Sequence, residues 1–306
     1  MSKENIGFIG VGFMGHGMAK NLVQNGYPLW VKGNRNREPI ERLVGIGATE
    51  VATPREMAQT CDIIHLCLSN SPQVEAVFHG DDGILAGARP GLIVIDTTTA
   101  DPTSTALLAA ALAEKGGTLV DAPLGRTPKE AEAGTLDAMV GADDATFARI
   151  KPVLDCWAGN ITHVGAPGSG HKMKLLMNFI SMGYASLYAE ATVLGAKVGI
   201  PPAKVRQVIG SSRLSNGFFD TFMTYAVDRD REVHKFTIAN ASKDLKYLAA
   251  MAADADAVGI MATAARHYFA HVEAIGNGSD YVPMVTDHVG RLNGIDMEEE
   301  AAKGRE

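Results

Sequence analysis

The chain is short of cysteine, of long apolar runs and of basic residues, and each shortage removes a class of protein. Cys61, Cys67 and Cys156 are odd in number and scattered. Neither a disulfide framework nor a zinc spacing is expected from them, and they read as buried free thiols. No run approaches the roughly 18 apolar residues of a membrane span. The first apolar stretch is short and glycine-rich, unlike a secretory signal. A cytoplasmic protein with no membrane partner is therefore expected. The 28 Lys and Arg are outnumbered by 35 Asp and Glu, for a net charge of −7. That balance argues against a nucleic-acid partner, whose footprint is a basic stripe. Internal repeats and low-complexity segments are lacking, and so is any cluster of His, Cys and carboxylate at ligand spacing, so no metal is expected. What is present is a chain of 306 residues, 46% of them apolar, which is ample for a packed core in one large domain or two.

Short apolar runs at 5–10, 28–32, 49–51, 63–68, 92–96, 118–123 and 136–141 read as strands. Between them, 14–25, 37–46, 54–59 and 105–116 carry helical spacing. The alternation predicts an α/β class, with a Rossmann-type, parallel, doubly wound sheet over residues 1–165. From Lys172 to Val198 there is no proline, and the only glycines are Gly183 and Gly195. This stretch predicts one long helix, apolar over much of its circumference and so buried between layers or subunits. Residues 166–198 are thus expected to be an interdomain helix, and 199–306 an all-helical C-terminal domain for substrate binding and oligomerisation. The charged end, MEEEAAKGRE, is expected to fray.

The first strand runs into GVGFMG, which places Gly10, Gly12 and Gly15 at G-x-G-x-x-G spacing. The first glycine permits a tight turn, the second lets a pyrophosphate approach the backbone, and the third lets helix and strand pack closely. Phe13 and Met14 stand where the helix starts, and its unpaired N–H groups and dipole favour phosphate there. A site for NAD wants an acid at the end of the second strand, to bond the ribose. That strand ends in VKGNRNR, with no acid before Glu38. Lys32, Arg35 and Arg37 cluster there instead, around Asn34 and Asn36. A guanidinium pairs well with phosphate, which favours NADP and leaves NAD open.

With four further stretches, this turn resembles the β-hydroxyacid dehydrogenase family, over nearly the whole chain from Ile6 to about Asn293. DTTTADP at 96–102 is similar to the family's D-x-S-T-x-x-P. The likeness puts Thr98 and Thr99 near the nicotinamide ribose, with Leu68 lining the same cofactor cleft. GSGHKMKLLMN at 168–178 resembles G-x-G-x-x-x-K-x-x-x-N, making Lys174 the catalytic lysine and Asn178 its substrate-holding partner. FTIANASKDL at 236–245 puts Lys243 by the cofactor with Phe236 packing nearby. In DAPLGRTPKEAEAGTLDAMVG, Gly125, Arg126 and Thr127 replace the family's usual Ser-Gly-Gly substrate loop and look like the loop of the sulfolactaldehyde reductases.

The resemblance implies an NAD(P)-dependent dehydrogenase or semialdehyde reductase, acting on a small anionic substrate as a homodimer or homotetramer. Lys174 and Asn178 are four apart and share a helical face, as a proton donor and its partner should. Desolvation by Leu175, Leu176 and Met177 is expected to lower the lysine's pKa. Arg126 adds a charged fork of donors, which fits a sulfonate or a second carboxylate. The competing reading turns it to solvent or to an acidic neighbour such as Glu130. An imine reductase and a non-catalytic cofactor-binding scaffold are the alternative functions, and the lysine speaks against both. Lys172 is expected to face away, and His163, His171 and His234 are assigned no role.

Overall fold

The first apolar runs form strands that are covered on both faces. The structure, a computed structural model, describes residues 3–303. Strands β1 (Ile6–Ile9), β2 (Leu29–Lys32), β3 (Thr49–Val51), β4 (Ile63–Leu66), β5 (Ile93–Asp96) and β6 (Thr118–Asp121) pair in parallel in the order β3-β2-β1-β4-β5-β6. Helices α1 (Gly15–Gln24), α2 (Glu38–Gly45), α3 (Pro54–Thr60), α4 (Ser71–Phe78), α5 (Ile84–Gly87) and α6 (Pro102–Ala113) lie between these strands in the chain. Alternate residues of β5 feed opposite cores. Ile93 and Ile95 join Phe8, Leu22 and Trp157, whereas Val94 joins Met57, Phe78 and Leu112. Burial on both faces explains why these strands read as unbroken apolar runs rather than alternating ones.

The far edge of the sheet departs from the expected all-parallel order. After β6 the chain forms β7 (Leu124–Gly125), α7 (Pro128–Ala133), β8 (Leu136–Gly141), α8 (Asp144–Leu154) and β9 (Ala158–Gly165). Strand β8 is antiparallel to β6 and β7 and parallel to β9. The reason is connection length. Only residues 126–135 separate β7 from β8, whereas a parallel crossover needs about a dozen residues or more.

Helices α4, α5, α7 and α8 and strand β9 have no counterpart in the sequence expectation. Three of these helices carry N-terminal signals: Asn70, Thr127 and Asp143 each accept a backbone N–H of the first turn.

Contacts divide the chain into Met1–Lys174 and Leu175–Glu306, so the division falls after the expected boundary at 165. Helix α9 (Ser169–Lys197) runs across it for 29 residues without a break. In the second unit, Leu175, Met182, Ala185, Ala189 and Val193 of α9 join a core with Phe219, Leu245 and Phe269. The rest of that unit is helical: α10 (Pro202–Gly210), α11 (Gly217–Met223), α12 (Ile238–Asp254), α13 (Ile260–Val272), α14 (Val285–Leu292) and α15 (Met297–Ala302). Within this one chain, α9 is not covered all round. Leu176, Ile180, Leu187 and Leu194 are 43–64% exposed and repeat at helical spacing along one stripe. Of the terminus expected to fray, Met297–Ala302 form α15, and 304–306 lie outside the described residues. No helix among the described residues is long and apolar enough to cross a membrane.

Candidate active site

The order of strands reverses direction beside β1, with β2 on one side and β4 on the other. Ligands of open α/β sheets bind at the carboxyl ends of such strands. The three glycines there have different reasons to be glycine. Gly10 has φ +98°, and a Cβ would lie 2.2 Å from the Cys67 carbonyl oxygen. At Gly15 a Cβ would lie 2.0 Å from the Gly10 carbonyl oxygen. Both are required by the fold itself. Around Gly12 there is nothing within 4 Å, so no protein atom excludes a side chain. Open space at that position fits the approach of a pyrophosphate to the backbone.

The start of α1 is correspondingly bare. Its N-cap, Met14, makes no side-chain capping bond, and the first turn carries no acid. Phe13 beside it is 91% exposed. Gly12, Phe13, His16 and Asn36 border a cavity of about 410 Å³ that also reaches Pro128 and Glu132. His16 and Lys20 both pair with Glu132 there, tying α1 to α7.

The basic cluster after β2 is less uniform than its sequence. Arg37 is taken: its two terminal nitrogens bond both oxygens of Glu50, each at 2.7 Å, and hold that carboxyl below its usual range. Asn36 accepts the N–H of Glu38, and Lys32 leans on the Gly33 carbonyl. Asn34 and Arg35 are exposed. Arg35 is the member of the cluster whose guanidinium has no ion pair among the described residues.

Beyond β4 and β5, Leu68 and Thr99 are half-buried, while Thr98 is only 2% exposed. The Thr98 hydroxyl accepts the N–H of Leu68 at 3.1 Å, and its own N–H donates to Asp96 at 2.9 Å. Thr98 thus laces the ends of β4 and β5 together. Asp96 is itself buried, which pushes its carboxyl up.

The loop after β7 holds a strained residue. Arg126 has φ 75°, a left-handed conformation that favours glycine. Its Nε donates to Asp137 on β8 at 3.0 Å, so it does turn to an acidic neighbour, and the one it bonds is Asp137. Gly125 is buried beside the same aspartate. Thr127 is the N-cap of α7 in a reciprocal box with Glu130, and its hydroxyl is engaged there. The T-x-x-E spacing signals this box in the sequence.

The glycine-rich turn before α9 is filled from within. Asp121, fully buried at the end of β6, accepts the N–H of Gly168 at 2.6 Å and of His171 at 2.7 Å. At Gly170 a Cβ would lie 2.3 Å from the Met139 carbonyl oxygen. Lys174 follows one turn later and is half-buried. The expected apolar sleeve around it is only partly there. Leu175 is buried, but Leu176 and Met177 are each 43% exposed, because successive helical positions point in different directions. Lys172 is exposed as expected.

In the second unit, the Asn178 amide nitrogen donates to Asp244 at 2.6 Å. Lys243 lies 2.9 Å from the other oxygen of Asp244, and its ammonium sits over the Tyr247 ring. Phe236 is half-buried against the same core. Asp244, 1% exposed, was missed in the sequence, where it is one more helical acid beside a lysine. Asp121 and Asp96 were missed likewise, since a strand-ending aspartate does not announce its partner. No group of His, Cys, Asp and Glu among the described residues is arranged to hold a metal ion.

Comparison with known proteins places these features in context. Residues 5–165 match the profile of the NAD binding domain of 6-phosphogluconate dehydrogenase. Residues 168–286 match that of the NAD-binding domain of NADP-dependent 3-hydroxyisobutyrate dehydrogenase. The chain is 38% identical over 207 residues to 2-(hydroxymethyl)glutarate dehydrogenase of Eubacterium barkeri, covering 68% of each. It is 32% identical over 273 residues to 3-sulfolactaldehyde reductase of Escherichia coli, covering 89% of this chain and 91% of the relative. The solved structure of a Mycobacterium tuberculosis 3-hydroxyisobutyrate dehydrogenase with L-serine superposes with a TM-score of 0.84 at 26% identity, covering 94% of this chain and 99% of that one.

Proposed function

This chain belongs to the β-hydroxyacid dehydrogenase family, and from that premise we propose that it is NADP-dependent and acts on a small acid carrying a second anionic group. Within the family it is an NAD(P)-dependent oxidoreductase that interconverts a hydroxy acid and its semialdehyde. The bound nicotinamide supplies or accepts the hydride. Gly12 leaves the backbone open to the pyrophosphate, and Asn34 and Arg35 meet the 2′-phosphate. Leu68 and Thr99 line the cofactor in the first unit, and Phe236 and Lys243 are assigned to it by the family resemblance alone. Thr98 serves by fixing the end of β5, because its hydroxyl is already engaged.

In reduction, the Lys174 ammonium donates a proton to the carbonyl oxygen as hydride reaches the carbon; in oxidation the amine takes that proton back. Asn178, held by Asp244, orients the substrate. The observation that carries the substrate class is Arg126, a charged residue kept in a glycine-like conformation beside Gly125. Asp137 holds its Nε and leaves the terminal amino groups to a sulfonate or carboxylate. Of the two relatives described above, one is named for an acid with two carboxylates, 2-(hydroxymethyl)glutarate, and the other for an aldehyde with a single strong anion, the sulfonate of 3-sulfolactaldehyde.

The test is a screen of semialdehydes carrying one or two anionic groups, with NADPH and NADH. Lys174→Ala should lower kcat about a thousandfold. Arg126→Ala should raise KM about tenfold for doubly anionic substrates and leave singly anionic ones unchanged. Full turnover by Lys174→Ala would sink the mechanism, and reduction of cyclic imines but of no semialdehyde would favour the imine reductase reading. The exposed stripe of α9 supports a homodimer or homotetramer, so a monomer mass in light scattering at micromolar protein would count against that part.

A further inference from the structure

His171 has no part in the chemistry described so far, yet it is wholly buried between the groups that organise the site. Its backbone N–H is bound by Asp121. Its Nδ1 lies 2.8 Å from the Thr105 hydroxyl on α6, and that hydroxyl also donates to the Asp101 carbonyl at 3.0 Å. A hydroxyl has one proton to give. With that proton on Asp101, the Nδ1–H of His171 is the donor to Thr105. The opposite nitrogen, Nε2, makes no hydrogen bond and lies 3.9 Å from Oδ2 of Asp96. The other oxygen of Asp96 holds the N–H of Thr98.

Nε2 and Oδ2 face each other across 3.9 Å inside the fold, with His171 wholly buried and Asp96 1% exposed. Burial pushes the Asp96 carboxyl up. The ring thus bridges two elements that the reaction needs in register. On one side is the end of β5 with Thr98 and Thr99; on the other is the first turn of α9, with Lys174 three residues on. Three residues of helix rise about 4.5 Å.

We propose that His171 is a positioning residue, a buried wedge that fixes the lysine's helix turn relative to the nicotinamide-side loop through Thr105 and Asp96. This rests on the reading of Lys174 as the proton donor. The wedge touches neither substrate nor cofactor; its effect is on distance and angle, to which hydride and proton transfer are steeply sensitive.

The experiment compares wild type with His171→Asn, which keeps a donor at the position but shortens it, and Thr105→Val, which removes the hydroxyl at nearly constant volume. With the best semialdehyde and NADPH, kcat should fall about a hundredfold in the first and about tenfold in the second. KM for both substrates should move less than about threefold. The isotope effect on kcat with deuterated NADPH should rise, because the hydride step has become the slow one. An equal loss of kcat with an unchanged isotope effect would mean a partly inactive preparation and would overturn the proposal. Amide exchange supplies an arm that needs no turnover. In Thr105→Val, exchange should quicken both at 97–100 and at 168–172. Acceleration confined to one of these stretches would show that no coupling exists, even where the substrate screen finds nothing to reduce.

Discussion

The first unit contains two glycine-rich turns that each open a helix, and they are put to opposite uses. GVGFMG leads into α1 and GSGHKMK into α9. At the first, the helix start has no capping side chain, no acid and open space at Gly12. At the second, Asp121 reaches in from β6 and consumes two of the N–H groups. A helix start favours negative charge whether a ligand or the protein supplies it. The first turn is left open; the second is satisfied internally, and so becomes a platform for the helix that carries Lys174. Glycine spacing alone does not distinguish a site from a scaffold, and what fills the N–H groups does.

The sharpest way to break this contrast is to substitute the second turn. Gly170→Ala would place a Cβ 2.3 Å from a backbone carbonyl of β8, which has no rotamer to yield. It should cost about 3 kcal/mol of stability. Asp121→Ala should cost a similar amount, since it strips two N–H groups of their partner, one of them in the fully buried His171. Urea midpoints at constant slope would report both. Variants within about 0.5 kcal/mol of wild type would mean that the turn relaxes freely and is no platform.

The same unit offers a second contrast, between two wholly buried histidines. His171 has Thr105 and Asp96, whereas His65 on β4 has no hydrogen-bond partner at either nitrogen. It stacks on Phe8 and meets Trp157 edge-on, as an aromatic core residue would. Burial pushes its pKa down to about 3 from 6.5. The folded state therefore resists a proton that the unfolded chain accepts. Stability from this group is intact above pH 6.5 and falls as the pH drops toward 3. Between pH 7 and pH 5 the loss should be about 2 kcal/mol. His65→Leu should abolish that portion of the acid sensitivity, measured by urea midpoints at the two pH values. Equal losses in wild type and variant would place the titrating group elsewhere.

Much of this architecture is legible in the sequence, and the gaps have physical causes. The runs at Ile6–Ile9, Ile63–Leu66 and Ile93–Asp96 announce themselves because strands covered on both faces carry apolar residues pointing both ways. Helix α9 is visible for the want of anything to stop it. Strand β9 was hidden because its exposed and half-buried pattern, AGNITHVG, carries little apolar signal. The antiparallel turn of β8 is a matter of connection length, which residue types do not encode. In the site, Lys174, Asn178 and the glycines are visible through the family resemblance. Asp121 and Asp244 lie 47 and 66 residues from their partners Gly168 and Asn178 in sequence and pair only once the chain is folded. Arg37 shows the converse failure: its charge was legible, but not that Glu50 would take it.

The mildest substitution tests the open turn directly. Gly12→Ala adds one methyl group where nothing lies within 4 Å, and the backbone there is not in the left-handed region. The folded protein should tolerate it, with a urea midpoint unchanged within about 0.5 kcal/mol. The methyl would instead occupy the space through which a pyrophosphate reaches the bare N–H groups of α1. NADPH binding, followed by fluorescence titration, should weaken about tenfold, a loss of about 1.4 kcal/mol. Stability and affinity thus move in opposite patterns at the two turns: Gly170→Ala strikes the fold, and Gly12→Ala strikes the ligand alone. Were Gly12→Ala to bind NADPH as tightly as wild type, the second glycine would be an accident of the turn, and the phosphate would have to rest on Gly10 and the start of α1 without it.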